Sequence, residues 1–166
     1  GGLPEFTPDM IETVVHEFAH SYANPIIDRH MSELQSAGDT LFRHVSAQMR
    51  SQAYGNSQTM LRESLVRACE ARYTFRYRGA EAGRRSVGFQ KSRGFFWMEE
   101  LSNLLAQYEA QRERYPTLDS FSPRLAAFFK AHAVDFAQER KAVGGSRPKV
   151  VSRSEEHTSE LQSRQV

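Results

Sequence analysis

The sequence predicts a mainly α fold, and three observations carry that reading. Apolar side chains recur at three- and four-residue spacing through most of the chain, which is the repeat of one helix face. No stretch alternates apolar and polar residues for long enough to make a convincing long strand. Residues that start and stop helices (Thr-Pro, Asn-Pro, Tyr-Pro, Ser-Pro and several Gly) recur at intervals of a helix length.

Thr7-Pro8 is a start signal, a Thr cap followed by Pro at the first helical position. Met10, Ile11, Val14, Val15 and Phe18 then predict a helix over about 8–23, stopped by Asn24-Pro25. A second helix is expected through Ile26, Ile27, Met31 and Leu34, ending at Gly38. Asp39 is expected to cap a third, with Leu41, Phe42, Val45 and Met49 on its face, closing at Tyr54-Gly55-Asn56. The clearest pattern is the fourth, about 58–77, with Leu61, Leu65, Ala68 and Cys69 on one side. Four glycines in 79–94 predict a loop with at most a short hairpin. A fifth helix is expected over about 96–114, ended by Tyr115-Pro116. Ser122-Pro123 opens a sixth, whose stripe is Leu125, Phe128, Phe129 and Phe136, and Gly144-Gly145 closes the ordered part. The expected organisation is one helical domain over 1–145 and a disordered tail over 146–166.

Composition narrows the function classes. The 166 residues are 39% hydrophobic, enough for one core. No apolar run approaches the roughly 20 residues that cross a bilayer, so no membrane segment is expected. A single cysteine, Cys69, excludes a disulfide framework and a cysteine-based zinc finger. A net charge of +2 is too small to argue for nucleic acid. Arg72, Tyr73, Phe75, Arg76, Tyr77, Arg78, Arg84 and Arg85 do interleave basic and aromatic residues, a pattern expected here of a helix end and a solvated basic loop. The chain opens on Gly1-Gly2, so it is expected to continue upstream. Residues 153–163, RSEEHTSELQS, resemble the translation of a sequencing-library adapter, so 153–166, including His157, carry no functional expectation.

The chemistry concentrates in His16-Glu17-Phe18-Ala19-His20, an H-E-x-x-H within the first predicted helix. Residues i and i+4 project from one face, so both imidazoles can reach a single Zn²⁺. Glu17 lies one position round, where it can act as general base and acid without binding the metal. The uncharged flank of Thr13, Val14, Val15, Phe18, Ala19, Ser21 and Tyr22 predicts a buried active-site helix. A metzincin would need glycine at 23 and histidine at 26, where this chain has Ala23 and Ile26. The third ligand therefore comes from Asp28, His30, His44, Glu63 or Glu70, with Glu63, Glu70 and His30 the leading choices. Glu63 has Arg67 at i+4, an arrangement that would orient a liganding carboxylate from outside the shell. Tyr54, Tyr73, Tyr77 and Arg67 are all candidates for stabilising an oxyanion.

The run His16 to Pro25, HEFAHSYANP, resembles an uncharacterised bacterial family of HExxH zinc metalloproteases. Glu63-Ser64-Leu65-Val66-Arg67-Ala68, Gly94-Phe95-Phe96, Tyr108-Glu109 and Arg114-Tyr115-Pro116-Thr117-Leu118 extend the likeness over about 10–140. The resemblance implies a gluzincin-like site in which His16, His20 and Glu63 hold Zn²⁺ and Glu17 moves protons, acting on a peptide or protein. It also implies that a sheet packing over the active-site helix lies upstream of Gly1. The 42 residues between His20 and Glu63 exceed the thermolysin-like spacing, so the intervening helices are an insertion or another path. The competing class is a non-catalytic helical module, binding protein or nucleic acid, with a structural or vestigial metal site.

Overall fold

The computed structural model describes residues 10–144. The fold is mainly α: α1 Met10–Arg29, α2 Met31–Ser51, α3 Ser57–Arg78, α4 Ala80–Ser92, α5 Met98–Ala110, a short 3-10 turn Asp119–Phe121, and α6 Ser122–Gly144. The expectations for Thr7-Pro8 and for the tail from 146 onward, the adapter-like segment included, fall outside the described residues. Among the described residues no helix is long and apolar enough to cross a membrane.

Helix α3 is the axis of the fold, packed against α1, α2, α4 and α5, while α6 lies on α2. Asn56 starts it, its side chain accepting from the Thr59 N–H at 2.8 Å. Being surrounded, α3 buries polar residues as well as apolar ones, and most of their polar atoms are paired within the fold. Ser64 donates to the Met60 carbonyl and accepts from the Trp97 indole at 3.1 Å. Fully buried Leu41, Met49, Met60, Leu61, Leu65, Phe95, Trp97 and Phe129 form the apolar core around it.

In the first two helices three boundaries differ from the sequence expectation, and α5 ends at Ala110, before the expected stop at Tyr115-Pro116. Pro25 lies inside α1 and does not end it. A proline within a helix costs about 3 kcal/mol. Pro25 is on the exposed side, where water can satisfy the carbonyl it leaves unbonded, and the next two residues, Ile26 and Ile27, are buried. The break comes instead at His30. Gly38 does not end a helix either, because α2 runs through it. A Cβ there would stand 2.7 Å from Leu61 Cδ1, so the missing side chain is what lets α2 approach α3. Asp39 caps nothing; its carboxylate accepts from Ser57 at the start of α3 and from Gln35, which hold its pKa below the usual value.

The glycine-rich stretch 79–94 is not a loop or hairpin but helix α4 with its two boundaries. Gly79 (φ +88°) and Gly94 (φ +99°) take the left-handed conformation at the helix ends. Gly83 is a packing glycine, since a Cβ there would meet the Phe75 ring at 2.3 Å. Gly88 faces open space. The two should respond oppositely to alanine. Gly83→Ala is expected to destabilise by about 1–3 kcal/mol through overpacking. Gly88→Ala should stabilise by about 0.5–1 kcal/mol through helix propensity. Thermal melts of the two variants check this, and equal shifts would overturn the packing assignment.

Cys69 is half-buried on α3, and the loss of solvent around its sulfur, with Glu109 and Glu70 nearby, pushes its thiol up to about 12. The folded protein at pH 8 should therefore resist iodoacetamide, with full labelling only after denaturation. Mass spectrometry of labelled protein gives the answer directly.

Candidate metal centre

Helices α1 and α3 run antiparallel, as their cross-pairs show. Glu12 meets Arg78 at 3.1 Å, His16 meets Glu70 at 3.4 Å, and His20 meets Glu63 at 3.4 Å. The spacing of four on α1 is matched by a spacing of seven on α3, which returns to the same face after two turns. Glu63 and Arg67 are buried, and both histidines are partly buried.

The orientation of the two imidazoles is the most informative feature. His20 Nδ1 lies 3.2 Å from Asn24 Oδ1, and His16 Nδ1 lies 3.4 Å from Glu70 Oε1. Each Nδ1 thus faces an oxygen acceptor, an arrangement that suits the tautomer with the ring proton on Nδ1 and the lone pair on Nε2. The two Nε2 atoms then face each other at 3.1 Å, with the rings edge to face. In that tautomer two Nε2 lone pairs meet, and a cation between them would remove their repulsion. Glu63 Oε1, 3.4 Å from His20 Nε2, adds a third donor. Ligating atoms of His16, His20 and Glu63 all lie within 4.8 Å of one another. Ligands about 2.0–2.1 Å from a tetrahedral zinc ion stand about 3.3 Å apart, and the two separations from His20 Nε2, 3.1 Å to His16 Nε2 and 3.4 Å to Glu63 Oε1, match that spacing.

The surroundings of Glu63 fix its free oxygen. Tyr54 donates to Glu63 Oε2 at 3.0 Å, and Arg67 Nη2 lies 3.2 Å from the same oxygen while donating to the Tyr54 hydroxyl at 2.7 Å. Tyr54 is delivered by the turn that ends α2. There Ala53 takes a left-handed φ of +67°, the Ala53 N–H bonds to the Arg50 carbonyl, and the Tyr54 N–H bonds to the Met49 carbonyl. Arg67 also reaches toward Glu70, with Nη1 3.7 Å from Oε2. Burial pushes the Glu70 carboxyl upward, against the opposing pull of His16 and Arg67.

The structure brings His16, His20, Glu63 and Arg67 together and leaves the other ligand candidates elsewhere. His30 lies 3.2 Å from Asp119, His44 is against the Phe136 ring, and Asp28 is paired with Arg62. Glu70 is beside the centre but behind His16. Of the oxyanion candidates, Tyr54 adjoins Glu63, whereas Tyr77 is exposed. Glu17 projects from α1 into solvent beside the two histidines. The expectation of a buried active-site helix needs correction, because α1 is buried on one side only. Met10, Val14, Phe18 (64% exposed) and Tyr22 form an outward apolar stripe, since no described element packs over it. Asn24 was not singled out by sequence reasoning. Its position, four residues after His20 on the same face, is the signal that points to it. In the basic–aromatic run, Arg72 binds Glu109 with two hydrogen bonds, Arg78 pairs with Glu12, and Arg85 pairs with Glu81.

Fold and site together define a helical domain with a two-histidine, one-carboxylate cluster between two antiparallel helices. Residues 5–128 match the family described as a domain of unknown function, DUF4932, and the chain belongs to that family. No curated protein and no solved structure matches it.

Proposed function

We propose that this domain is the helical part of a zinc-dependent peptidase, with His16, His20 and Glu63 as metal ligands and Glu17 as general acid/base. The carrying observation is the pair of Nε2 atoms 3.1 Å apart, each ring held through Nδ1 by a separate acceptor, with Glu63 alongside. A bound zinc ion would supply Lewis acidity toward a water molecule and a peptide carbonyl. The remaining work falls to the chain. Asn24 and Glu70 keep both imidazoles in the ligating tautomer. Tyr54 and Arg67 hold Glu63 Oε2, leaving Oε1 directed at His20. Glu17, exposed next to His16, can take a proton from the attacking water and return it to the leaving amine.

The test is metal content together with hydrolysis of a mixed peptide library. About one zinc per chain is expected, with cleavage that a chelator stops and added zinc restores. Stoichiometric zinc without any cleavage would overturn the peptidase reading and leave a structural site. The outward stripe of Met10, Val14, Phe18 and Tyr22 favours a second reading, a helical protein-binding module with a vestigial metal site. In that case partner binding would persist after chelation.

A further inference from the structure

A cleft of about 430 Å³ opens between α1, α3 and α4, with Val15, Tyr73, Arg78, Arg85 and Phe89 among its lining. At about 100° per residue, Val15 and Glu17 stand on nearly opposite sides of α1. Going round the outward side from Val15 to Glu17, the residues met are Phe18 and then Val14, both exposed. We propose that cleft and stripe form one track for a peptide substrate, which anchors an aromatic side chain flanked by acidic residues in the cleft and crosses Phe18 and Val14 to reach Glu17. This rests on the peptidase reading above.

The groups that would meet the anchor are open to a ligand. Phe89 is 59% exposed, and with the partly buried Val15 and Tyr73 it gives the cleft an apolar wall. Covering an aromatic side chain against such a wall raises affinity by about tenfold or more. Charge decides what flanks it. The acidic lining residues are already engaged, Glu12 by Arg78 and Glu70 by His16 and Arg67. Two cations beside Phe89 are not so held. Arg85 is paired with Glu81 along α4, but its side chain is 67% exposed, and an ion pair in water holds its partners weakly. Arg93 lies 5.6 Å from the Phe89 ring, and among the described residues no carboxylate is paired with it. Acidic residues next to the anchor complement these cations, whereas basic ones would meet like charge. The crossing sets a length. An extended peptide, at about 3.3 Å per residue, needs about five residues to pass half-way round a helix about 10–12 Å across.

The test compares three peptides alike except at the anchor, which is Glu-Phe-Glu, Lys-Phe-Lys or Glu-Ala-Glu. Binding is measured by calorimetry on Glu17→Gln protein with zinc added, and cleavage by mass spectrometry on the unmodified protein. The Glu-Phe-Glu peptide should bind about tenfold or more tighter than either of the others, and its lead over the Lys peptide should shrink as salt is raised. Phe89→Ala should erase the preference for Phe over Ala, and Arg85→Glu the preference for Glu over Lys. Both side chains are exposed, and the melting temperature of each variant shows that it has folded. Phe18→Ser should raise KM for the Glu-Phe-Glu peptide with little change in kcat. The cut should fall about five residues or more from the anchoring Phe, and a cut beside the anchor would overturn the track. Equal binding of the three peptides would overturn it even if all were cleaved. Dimerisation that Phe18→Ser abolishes, or an oligothymidine that binds more tightly than any peptide, would give this surface to another occupant and overturn it as well. Selective binding of the Glu-Phe-Glu peptide with no cleavage of any would keep the anchor and end the peptidase reading.

Discussion

His20→Ala is expected to lower zinc content from about one per chain to background after dialysis, and His16→Ala to do the same. In the proposed site each imidazole is one of three protein ligands, so its removal would take away a whole metal bond and leave a two-ligand site. The loss should exceed the roughly 10–100-fold in affinity typical of residues that only orient a ligand. That smaller range is what Asn24→Ala and Glu70→Gln should show, since those side chains contact the histidines through Nδ1. Stability provides a second readout. Zinc at about a thousand times its dissociation constant should stabilise the unmodified protein by about 4 kcal/mol and raise its melting temperature. The His16 and His20 variants should show no such rise. A double variant that still held one zinc after dialysis would refute the site.

The helices of this protein were legible where local chemistry decides them. The start of α3 near 58, the Ser122-Pro123 opening of α6 and the apolar stripe of α2 all depend on short-range spacing and capping, although Asn56, read as the close of the preceding helix, is the residue that caps α3. What misled was the dual use of glycine and proline. Gly38 and Gly83 read as breakers because sequence alone does not show that Leu61 and Phe75 come to occupy the space over them. Pro25 read as a stop because its exposed position, opposite the buried Ile26 and Ile27 turn, is a tertiary fact. The same limit applied at the site. The pairing of His16 with His20 follows from i, i+4 geometry, but choosing among Glu63, Glu70 and His30 requires the antiparallel packing of α1 on α3. That packing sets Glu63 beside His20 and Glu70 behind His16, and leaves His30 at Asp119. The exposure of Phe18 and Tyr22 was hidden for a different reason: an apolar stripe predicts burial without specifying what does the burying.

Glu17→Gln and Glu63→Gln should separate proton transfer from metal binding. Glutamine at 17 keeps size and helical preference but cannot accept a proton at neutral pH. Because Glu17 is exposed and outside the His16–His20–Glu63 cluster, zinc content and melting temperature should stay near those of the unmodified protein. Peptide hydrolysis should nevertheless fall by about 10²-fold or more, the usual contribution of a positioned acid/base. At 63 the expected pattern is the reverse, with metal and activity lost together. Glutamine is the better substitution there because Glu63 is buried against Arg67 and Tyr54. Alanine would strand the Arg67 charge at a cost of about 3–5 kcal/mol and confuse unfolding with loss of a ligand. Glutamine retains an oxygen for Tyr54 and Arg67 but offers only a neutral amide in place of a carboxylate ligand. Zinc titration and peptide turnover on both variants form the measurement. Undiminished turnover in Glu17→Gln would remove Glu17 from the mechanism, and full zinc affinity in Glu63→Gln would send the third-ligand assignment to Glu70, whose Oε1 already lies against His16.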